Sequence, residues 1–432
     1  MTRRNVHRTC LVLCVATALG GAACDLTLAN PNAPPEQTVL NTPDGLVALA
    51  VGMQAQYAGG VGDFLIPPSL MTDEWGTTTK SLIAYQSLLT GQSFDTGYAV
   101  VLAPWADAYR TIKSADDLLA HAPQVLEGGL ETGTVGIAKL FKAMALGTII
   151  LQYQRVPIEI SVPGPAPQAR STILDTVLAL LNSARSDFTS VSAADLAGFN
   201  SRVRSTNFDV LNTIDAMRAR YSLVAGQYAQ AIAAADSVKP NVLSVLTYTA
   251  PAVNPIWDLA VSTGYIRGLK SFKDQAEAGD GRVVYWADTT AAPTTGNPDS
   301  LLLPLKKYGA QTDPYPVYLP DEMKLIKAEA FTNLGQLDSA AFYVNAVRTP
   351  TSSAVDEPVA GLPALDPLTQ LDTPAKLFAQ IAYERRYELF EQGLRWEDTR
   401  RLGEALTTTP TFPFLPIPRV ECTANPSHPC VP

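Results

Sequence analysis

Histidine and cysteine, on which most hydrolytic and metal sites depend, are scarce in this chain. Its 432 residues include only three histidines and five cysteines. The histidines His7, His121 and His428 are far apart in sequence. The sequence contains no Gly-x-Ser-x-Gly, no phosphate-binding P-loop and no His-Glu-x-x-His motif. These absences argue against histidine general-base catalysis, nucleotide chemistry and a zinc centre, and we expect neither an enzyme nor a cofactor.

Positive charge is also in short supply. Lysine and arginine together number 32 against 41 aspartates and glutamates, so the formal net charge is −9. Nucleic acid demands a basic protein surface, and electrostatic docking on anionic lipid does too. The charge balance therefore argues against a nucleic-acid partner and fits a protein with neutral ligands.

Long apolar runs are missing as well, because Lys139 and Lys142 interrupt the best candidate for a membrane-spanning helix. Thr9–Gly20 is a twelve-residue run without charge, and three arginines precede it. A basic start, a short apolar run and then small residues are the plan of a signal peptide. We therefore assign residues 1–23 to a signal peptide.

Cys24 follows directly after these small residues, as the lipidated cysteine of bacterial lipoproteins does. Gly21 occupies the position where leucine is usual, so ordinary signal cleavage nearby, with Cys24 left as a free thiol, is the alternative. We predict that Cys24 is lipidated and that residues 24–42, rich in asparagine and proline, form an extended tether. The body of the protein is then anchored to a membrane without spanning it.

Two cysteines remain after the signal segment and Cys24 are set aside. Cys422 and Cys430 lie eight residues apart in a proline-rich tail. In an exported chain, two remaining cysteines this close predict a disulfide. A cysteine-rich metal site is excluded because no further thiols are present.

Apolar residues recur with a period of 3.6 through most of the mature sequence, which predicts a mainly all-α fold. Arg220–Val238 and Glu329–Val347 share a pattern in which Gly-Gln is followed by small residues. A helix that ends at glycine, reverses and packs back through alanines is typical of a tetratricopeptide-like hairpin. We predict a single domain over residues 43–432, with loop-rich regions at about 59–97 and 239–320.

The two loop-rich regions hold aromatic residues beside polar ones. Sugar rings stack their C–H faces on tryptophan or tyrosine, while their hydroxyls need polar partners at the ring edge. For each aromatic residue, packing within the protein is as good an explanation as ligand contact. The predicted ligand-binding residues are Asp73, Trp75, Tyr85, Trp257 and Trp286.

The most charged segment, Glu384–Arg401, alternates acids and arginines around one glycine, Gly393. We expect its charges to form a structural ion network rather than a catalytic site. We call the chain reversal around Gly393 the corner. The predicted members of the network and of this corner are Glu384, Arg385, Glu388, Glu391, Gly393, Arg395, Trp396, Asp398, Arg400 and Arg401. The segment closely resembles the signature of the SusD/RagB family, surface lipoproteins that feed TonB-dependent nutrient transporters. Val100–Leu119 and Pro320–Arg348 resemble further segments of that family.

The resemblance implies a SusD-like fold and a lipid-anchored protein on the outer membrane, facing the cell exterior. It also implies an oligosaccharide ligand and delivery of that ligand to a SusC-like, TonB-dependent transporter. A peptide ligand of the RagB type is one alternative, and a tetratricopeptide-type assembly adaptor of the envelope is another. A glycoside hydrolase that uses Asp73 and Glu74 is discounted, because adjacent side chains do not flank a sugar as two catalytic carboxyls must.

Overall fold

The computed structural model describes residues 36–91, 95–161, 164–349, 365–403, 406 and 412–424. Helices account for most of these residues, as predicted. In chain order the helices are α1 Glu36–Leu40, α2 Pro43–Gly59, α3 Val61–Met71, α4 Ile83–Thr90, α5 Ala99–Val125, α6 Gly128–Ile150, α7 Arg170–Thr189, α8 Ala197–Arg202, α9 Val210–Val224, α10 Tyr228–Ser237, α11 Pro255–Trp257, α12 Lys270–Asp274, α13 Arg282–Trp286, α14 Pro320–Asn333, α15 Leu337–Arg348, α16 Pro374–Glu388, α17 Arg395–Leu402 and α18 Arg419–Ala424. A π-helical turn, Asp258–Ser262, follows α11.

Both predicted helical hairpins are present. Helix α9 reverses into α10 at Gly226 (φ 72°), and α14 reverses into α15 at Gly335 (φ 73°). Glycine adopts this left-handed conformation without the steric penalty that a side chain would bring. The hairpins pack on each other through α10 and α14, and α16 closes the stack against the second hairpin.

One main hydrophobic core extends from Leu46 to Leu415, and a smaller cluster lies between α14, α15 and α16. Helix α6 is the one described helix that is long and apolar enough to cross a membrane. Its most apolar window is 78% buried inside the protein. Phe141 and Leu146, for example, are fully covered by neighbouring helices, which identifies α6 as a core helix.

A small antiparallel sheet joins the two predicted loop-rich regions. Its strand order is β1 (Trp75–Thr77), β5 (Ile266–Leu269), β7 (Leu301–Leu303) and β6 (Thr294–Thr295). In the register, Trp75 lies opposite Gly268, and Gly268 lies opposite Leu303. Two further pairs each contain two strands, β2 (Arg155–Val156) with β3 (Gln168–Ala169) and β4 (Val245–Leu246) with β8 (Tyr315–Pro316).

The first region is less irregular than its composition predicts. Between residues 59 and 97 the chain forms α3 and α4, although α3 contains Pro67 and Pro68. Almost all of α3 is buried, and Thr72 donates a hydrogen bond to the carbonyl of Pro68. Burial of this apolar segment therefore outweighs the cost of two prolines. The second region, 239–320, follows the prediction better, since its described elements are two to five residues long.

Candidate functional site

Trp75 and Trp286 lie in the core, and this corrects the prediction that they contact ligand. Both rings are 0% exposed. The Trp75 indole N–H donates to Glu391 Oε1 at 3.3 Å, and the Trp286 N–H donates to the Tyr387 carbonyl at 2.9 Å. A ring with both faces covered and its N–H bonded internally has no surface left for a sugar. Trp75 thus connects the sheet to the turn after α16, and Trp286 connects α13 to the last turn of α16.

Trp257 and Tyr85 are only half-buried, and each lies near the surface of a loop-rich region. Asn254 caps α11 by accepting hydrogen bonds from the backbone N–H groups of Ile256 and Trp257, which fixes the backbone at Trp257. Tyr85 on α4 packs edge-on against Tyr265, with ring centroids 6.1 Å apart at 79°. Two predicted aromatic residues therefore remain available for contact with a ligand.

The chemistry around Tyr85 is acidic. Burial, with smaller contributions from the nearby carboxylates of Asp63 and Asp258, raises the pKa of Tyr85 to about 12. Burial and the neighbouring Asp107 carboxylate together raise the pKa of Asp63 to about 7. The tyrosine hydroxyl therefore stays protonated and can donate a hydrogen bond at neutral pH.

A cleft of about 580 Å³ opens beside α4, at the edge of the four-stranded sheet. Both loop-rich regions contribute to it, and Asp73 is the predicted ligand-binding residue that lines it. The lining consists of Leu70, Asp73, Leu89, Thr90, Leu269, Lys270, Ser271, Asp274, Pro298, Ser300 and Leu301. Its volume lies within the range of about 300–1,000 Å³ that is typical of small-molecule sites.

One face of α4 connects this cleft to the tyrosine pair. Tyr85 and Leu89 are four residues apart on the helix, so their side chains lie one above the other. Leu89 lines the cleft, and Tyr85 contacts Tyr265 one turn earlier. Asp73 and Leu89 line the cleft, whereas Tyr85 lies one turn away on the same face of α4, and neither Tyr85 nor Trp257 belongs to the cleft lining.

The polar groups of the cleft suit a neutral, hydroxyl-rich ligand. Lys270 and Asp274 form an ion pair of 2.6 Å one helical turn apart and leave further donor and acceptor capacity. Ser271, Ser300 and Thr90 add side-chain hydroxyls, and the half-exposed Leu301 adds an apolar surface. Within the described ranges, no group of three or more acidic, histidine or cysteine residues is placed to hold a metal ion.

The sequence prediction missed Lys270, Asp274 and Tyr265. The lysine and aspartate sit at i and i+4 in a five-residue helix, a spacing that also occurs on ordinary solvated faces such as Lys113–Asp117. Tyr265 stands in the same loop-rich region as the tryptophans and carries the same aromatic signal. A search that included the tyrosines of this region as well as its tryptophans would have selected Tyr265.

The charged run forms a buried ion network at a chain corner. Arg385 pairs with Asp398 at 2.8 Å, and Arg401 pairs with Glu329 of α14 at 2.7 Å. Arg395 donates to the carbonyl of Thr72 at 2.6 Å. These bonds connect the corner to the scaffold and to the start of the sheet region, which agrees with a structural role.

The remaining members of the run support the same corner. Glu384 pairs with Arg348 at 3.0 Å, and Glu388 pairs with Arg282 at 3.4 Å. Trp396 is buried, and the Arg400 guanidinium lies over its ring at 5.0 Å. The first helix of the corner ends at Glu388, five residues before Gly393, although glycine is the residue at which helices commonly end.

The backbone explains this early end. Glu391 (φ 63°) and Gly393 (φ 69°) both adopt the left-handed conformation, so the chain turns twice before α17 begins at Arg395. Glu391 is fully buried in this conformation. The segment between α16 and α17 is therefore a turn with two left-handed residues and does not continue α16.

Two of the predicted cysteine sites fall outside the described residues. Cys24 and Cys430 lie there, and the predictions about them stay predictions. Cys422 is disulfide-bonded. Cys422 lies on α18, and its side chain is buried.

No family model and no curated protein matches this chain. Solved structures do match it. NanU of B. fragilis aligns over 93% of this chain and 98% of its own, at a TM-score of 0.66 and 15% identity. A SusD superfamily protein from Bacteroides thetaiotaomicron aligns over 90% and 100%, at 0.70 and 16%. A SusD-like carbohydrate binding protein from Bacteroides fragilis aligns over 90% and 99%, at 0.66 and 15%. At these identities the likeness establishes a shared fold.

Proposed function

Since this chain has the fold of the SusD superfamily, we propose that it binds an oligosaccharide at the cell surface. Ligand is held in the cleft beside α4 without any bond being made or broken. Asp73 and the Lys270–Asp274 pair bind sugar hydroxyls, and Tyr85 and Leu301 contact the ring faces. Trp257 contributes at the edge of this surface.

The observation that carries the proposal is the composition of the cleft. It combines two carboxylates, an ammonium group and three hydroxyl side chains with exposed leucine, and a tyrosine pair adjoins it. Hydroxyl-rich ligands need both donors and acceptors around an apolar ring face. The carbohydrate-binding description of one structural neighbour supports the same ligand class.

The anchoring and delivery steps of the proposal rest on the sequence. Lipid on Cys24 and the tether between Cys24 and α1 hold the protein at the outer membrane, facing outward, and the end of the predicted tether 24–42 is helical at Glu36–Leu40. A SusC-like, TonB-dependent transporter then receives the oligosaccharide. A peptide ligand and an adaptor role are the competing outcomes of the experiments below.

Glycan and peptide arrays probed with protein that lacks residues 1–24 test the ligand class. We expect glycan signals that fall at least tenfold in Asp73→Asn and Asp274→Asn. Asparagine is the right replacement for Asp73, because it tolerates the left-handed backbone (φ 59°) found there. Asp117→Asn is the matched control, since Asp117 forms a similar i, i+4 pair with Lys113 on α5.

Peptide signals alone would favour the RagB-type alternative, and blank arrays would favour the adaptor. Glycan binding that Asp73→Asn and Asp274→Asn leave intact would remove the cleft from the proposal.

Radioactive fatty acid should label the full-length protein and not Cys24→Ser, whereas equal labelling of both would contradict lipidation. Delivery predicts that cells lacking this chain lose uptake of the array-identified glycan, and unchanged uptake would contradict it.

A further inference from the structure

A second pocket, of about 150 Å³, lies on different elements from the cleft. Helix α5, the chain after β2 and the tail helix α18 form its walls. Its surface is mainly aromatic and aliphatic, with two carboxylates among the lining residues. The residues that matter for its chemistry are Trp105, Tyr109, Ile160, Ile417, Glu159 and Glu421.

The aromatic part of the pocket is held firmly. The rings of Trp105 and Tyr109 lie 5.0 Å apart, and Trp105 also packs edge-on against Tyr153. The Tyr109 hydroxyl donates to the carbonyl of Pro157 at 2.6 Å, which anchors α5 to the opposite wall. The tail wall is held as well, because the backbone N–H of Arg419 at the start of α18 donates to the carbonyl of Thr96 at 3.0 Å. The pocket is therefore preorganised.

The charge in the pocket is uncompensated. Among the described residues, neither Glu159 nor Glu421 forms an ion pair. Two nearby cations are engaged elsewhere, Arg110 with Asp107 and Arg419 with Asp95. Burial raises the pKa of Tyr109, and the Glu421 carboxylate adds to this rise, so that carboxylate lies close to the ring.

Size and chemistry together select the occupant. A volume of about 150 Å³ is below the range of about 300–1,000 Å³ typical of small-molecule sites, but it suits one long side chain. Aromatic rings beside carboxylates attract a cation that carries an apolar stem, through cation–π and charge interactions. We propose that this pocket receives one arginine or lysine side chain of a partner protein.

The rim of the pocket fits a protein partner. Ile160, one of the lining residues, is 45% exposed, and Val420, next to the lining residue Glu421 on the tail helix, is 51% exposed. Protein interfaces surround a buried anchor side chain with such apolar and polar contacts, and arginine is enriched among the anchors. The proposal does not depend on the ligand of the cleft, since the two sites share no residue.

Fluorine NMR of the 5-fluorotryptophan protein tests this assignment at the pocket itself. The chain has five tryptophans, and Trp105→Phe identifies the resonance at the pocket. The probe is N-acetyl-arginine methylamide, with the neutral isostere N-acetyl-citrulline methylamide as its control. We expect saturable movement of the Trp105 resonance at millimolar arginine probe, and at least tenfold weaker binding of citrulline.

Variants separate charge recognition from nonspecific binding. The pair Glu159→Gln and Glu421→Gln together should weaken arginine binding at least tenfold and leave the melting temperature unchanged. Glu127→Gln, an exposed glutamate at the start of α6, is the matched control and should bind like the parent. An immobile Trp105 resonance, equal movement with citrulline, or full binding by the double variant would each overturn the proposal.

Discussion

Arg282 forms an ion pair with Glu384 across 2.8 Å, with both side chains almost completely withdrawn from solvent. The arginine belongs to the second loop-rich region, and the glutamate opens the charged run on α16. Arg282 also pairs with Asp280 at 2.8 Å and with Glu388 at 3.4 Å. One guanidinium thus fastens the loop-rich region to the helical scaffold. The orientation of the sheet, and of the cleft at its edge, depends on this connection.

Replacement of Arg282 by methionine should destabilise the protein strongly. Methionine keeps the apolar stem but leaves buried carboxylates without their cation, which costs about 3–5 kcal/mol. Lys376→Met is the control, because Lys376 pairs with Asp372 where both side chains are about half exposed or more. An exposed pair of this kind contributes about 1 kcal/mol or less. Urea unfolding measures both, and equal losses would contradict the role given to Arg282.

Trp286→Ala should lower stability rather than ligand affinity. Its ring is 0% exposed, so truncation leaves a cavity that costs about 3–5 kcal/mol. Trp257→Ala should lower the free energy of unfolding clearly less, since that side chain is only partly buried. Urea unfolding followed by circular dichroism compares the two. If Trp286→Ala kept full stability and lost only glycan binding, the assignment of Trp286 to the core would be wrong.

The contrast between these tryptophans indicates how far sequence reasoning reaches. The charged run predicted the fold through its resemblance to the SusD/RagB signature, and its many charges predicted a structural ion network. Aromatic residues in loop-like composition carried no such constraint. Trp286 is buried because its N–H reaches the carbonyl of Tyr387, a partner 101 positions away in the chain. The amino-acid composition around Trp286 cannot predict a contact with a residue so distant in the chain.

The sequence predicted which two regions of the chain form the cleft, but it did not predict most of the residues that line it. Asp73, which lines the cleft, and Tyr85, one helical turn from the lining residue Leu89, both come from the expected segments. Lys270 and Asp274 enter the cleft because β5 pairs with β1 and delivers α12 to the site. Sheet register between distant two- to four-residue strands determines this placement, and strands this short have too little periodicity to reveal it.

Gly393→Ala should destabilise the corner of the charged run. The residue has φ 69°, and an added Cβ would lie 2.9 Å from Leu65 Cδ2. Backbone strain and this close contact together should cost about 1–3 kcal/mol. Gly52→Ala is the opposite case, since Gly52 is exposed within α2 with nothing near its Cβ position. Alanine there should stabilise by about 0.5–1 kcal/mol.

Thermal and urea unfolding of the two alanine variants give opposite signs if the corner is as described. Loss of stability in both variants would point to a general intolerance of substitution. Gain of stability in both would show that the turn at Gly393 does not require glycine.

Glu391→Gln should reduce the dependence of stability on pH. Burial, together with the nearby Glu74 carboxylate, raises the pKa of Glu391 from 4.5 to about 8. Between these values the folded protein holds a proton that the unfolded chain releases. Stability from this group is therefore fully present below about pH 4.5 and declines as pH rises towards 8, by up to about 1.4 kcal/mol per pH unit. Glutamine keeps the shape and removes the titration.

Urea unfolding of the parent and Glu391→Gln at several pH values between about 5 and 8 checks this sign. The variant should lose less stability across the window, although Glu74 and Glu388, whose pKa values are also raised, keep some slope in both proteins. Asp372→Asn is the control, because hydrogen bonding to Lys376 lowers the pKa of Asp372, which places its titration below this window. Parallel curves for the parent and Glu391→Gln would mean that Glu391 is charged in the folded protein, so its turn would need a cation close enough to stabilise that charge.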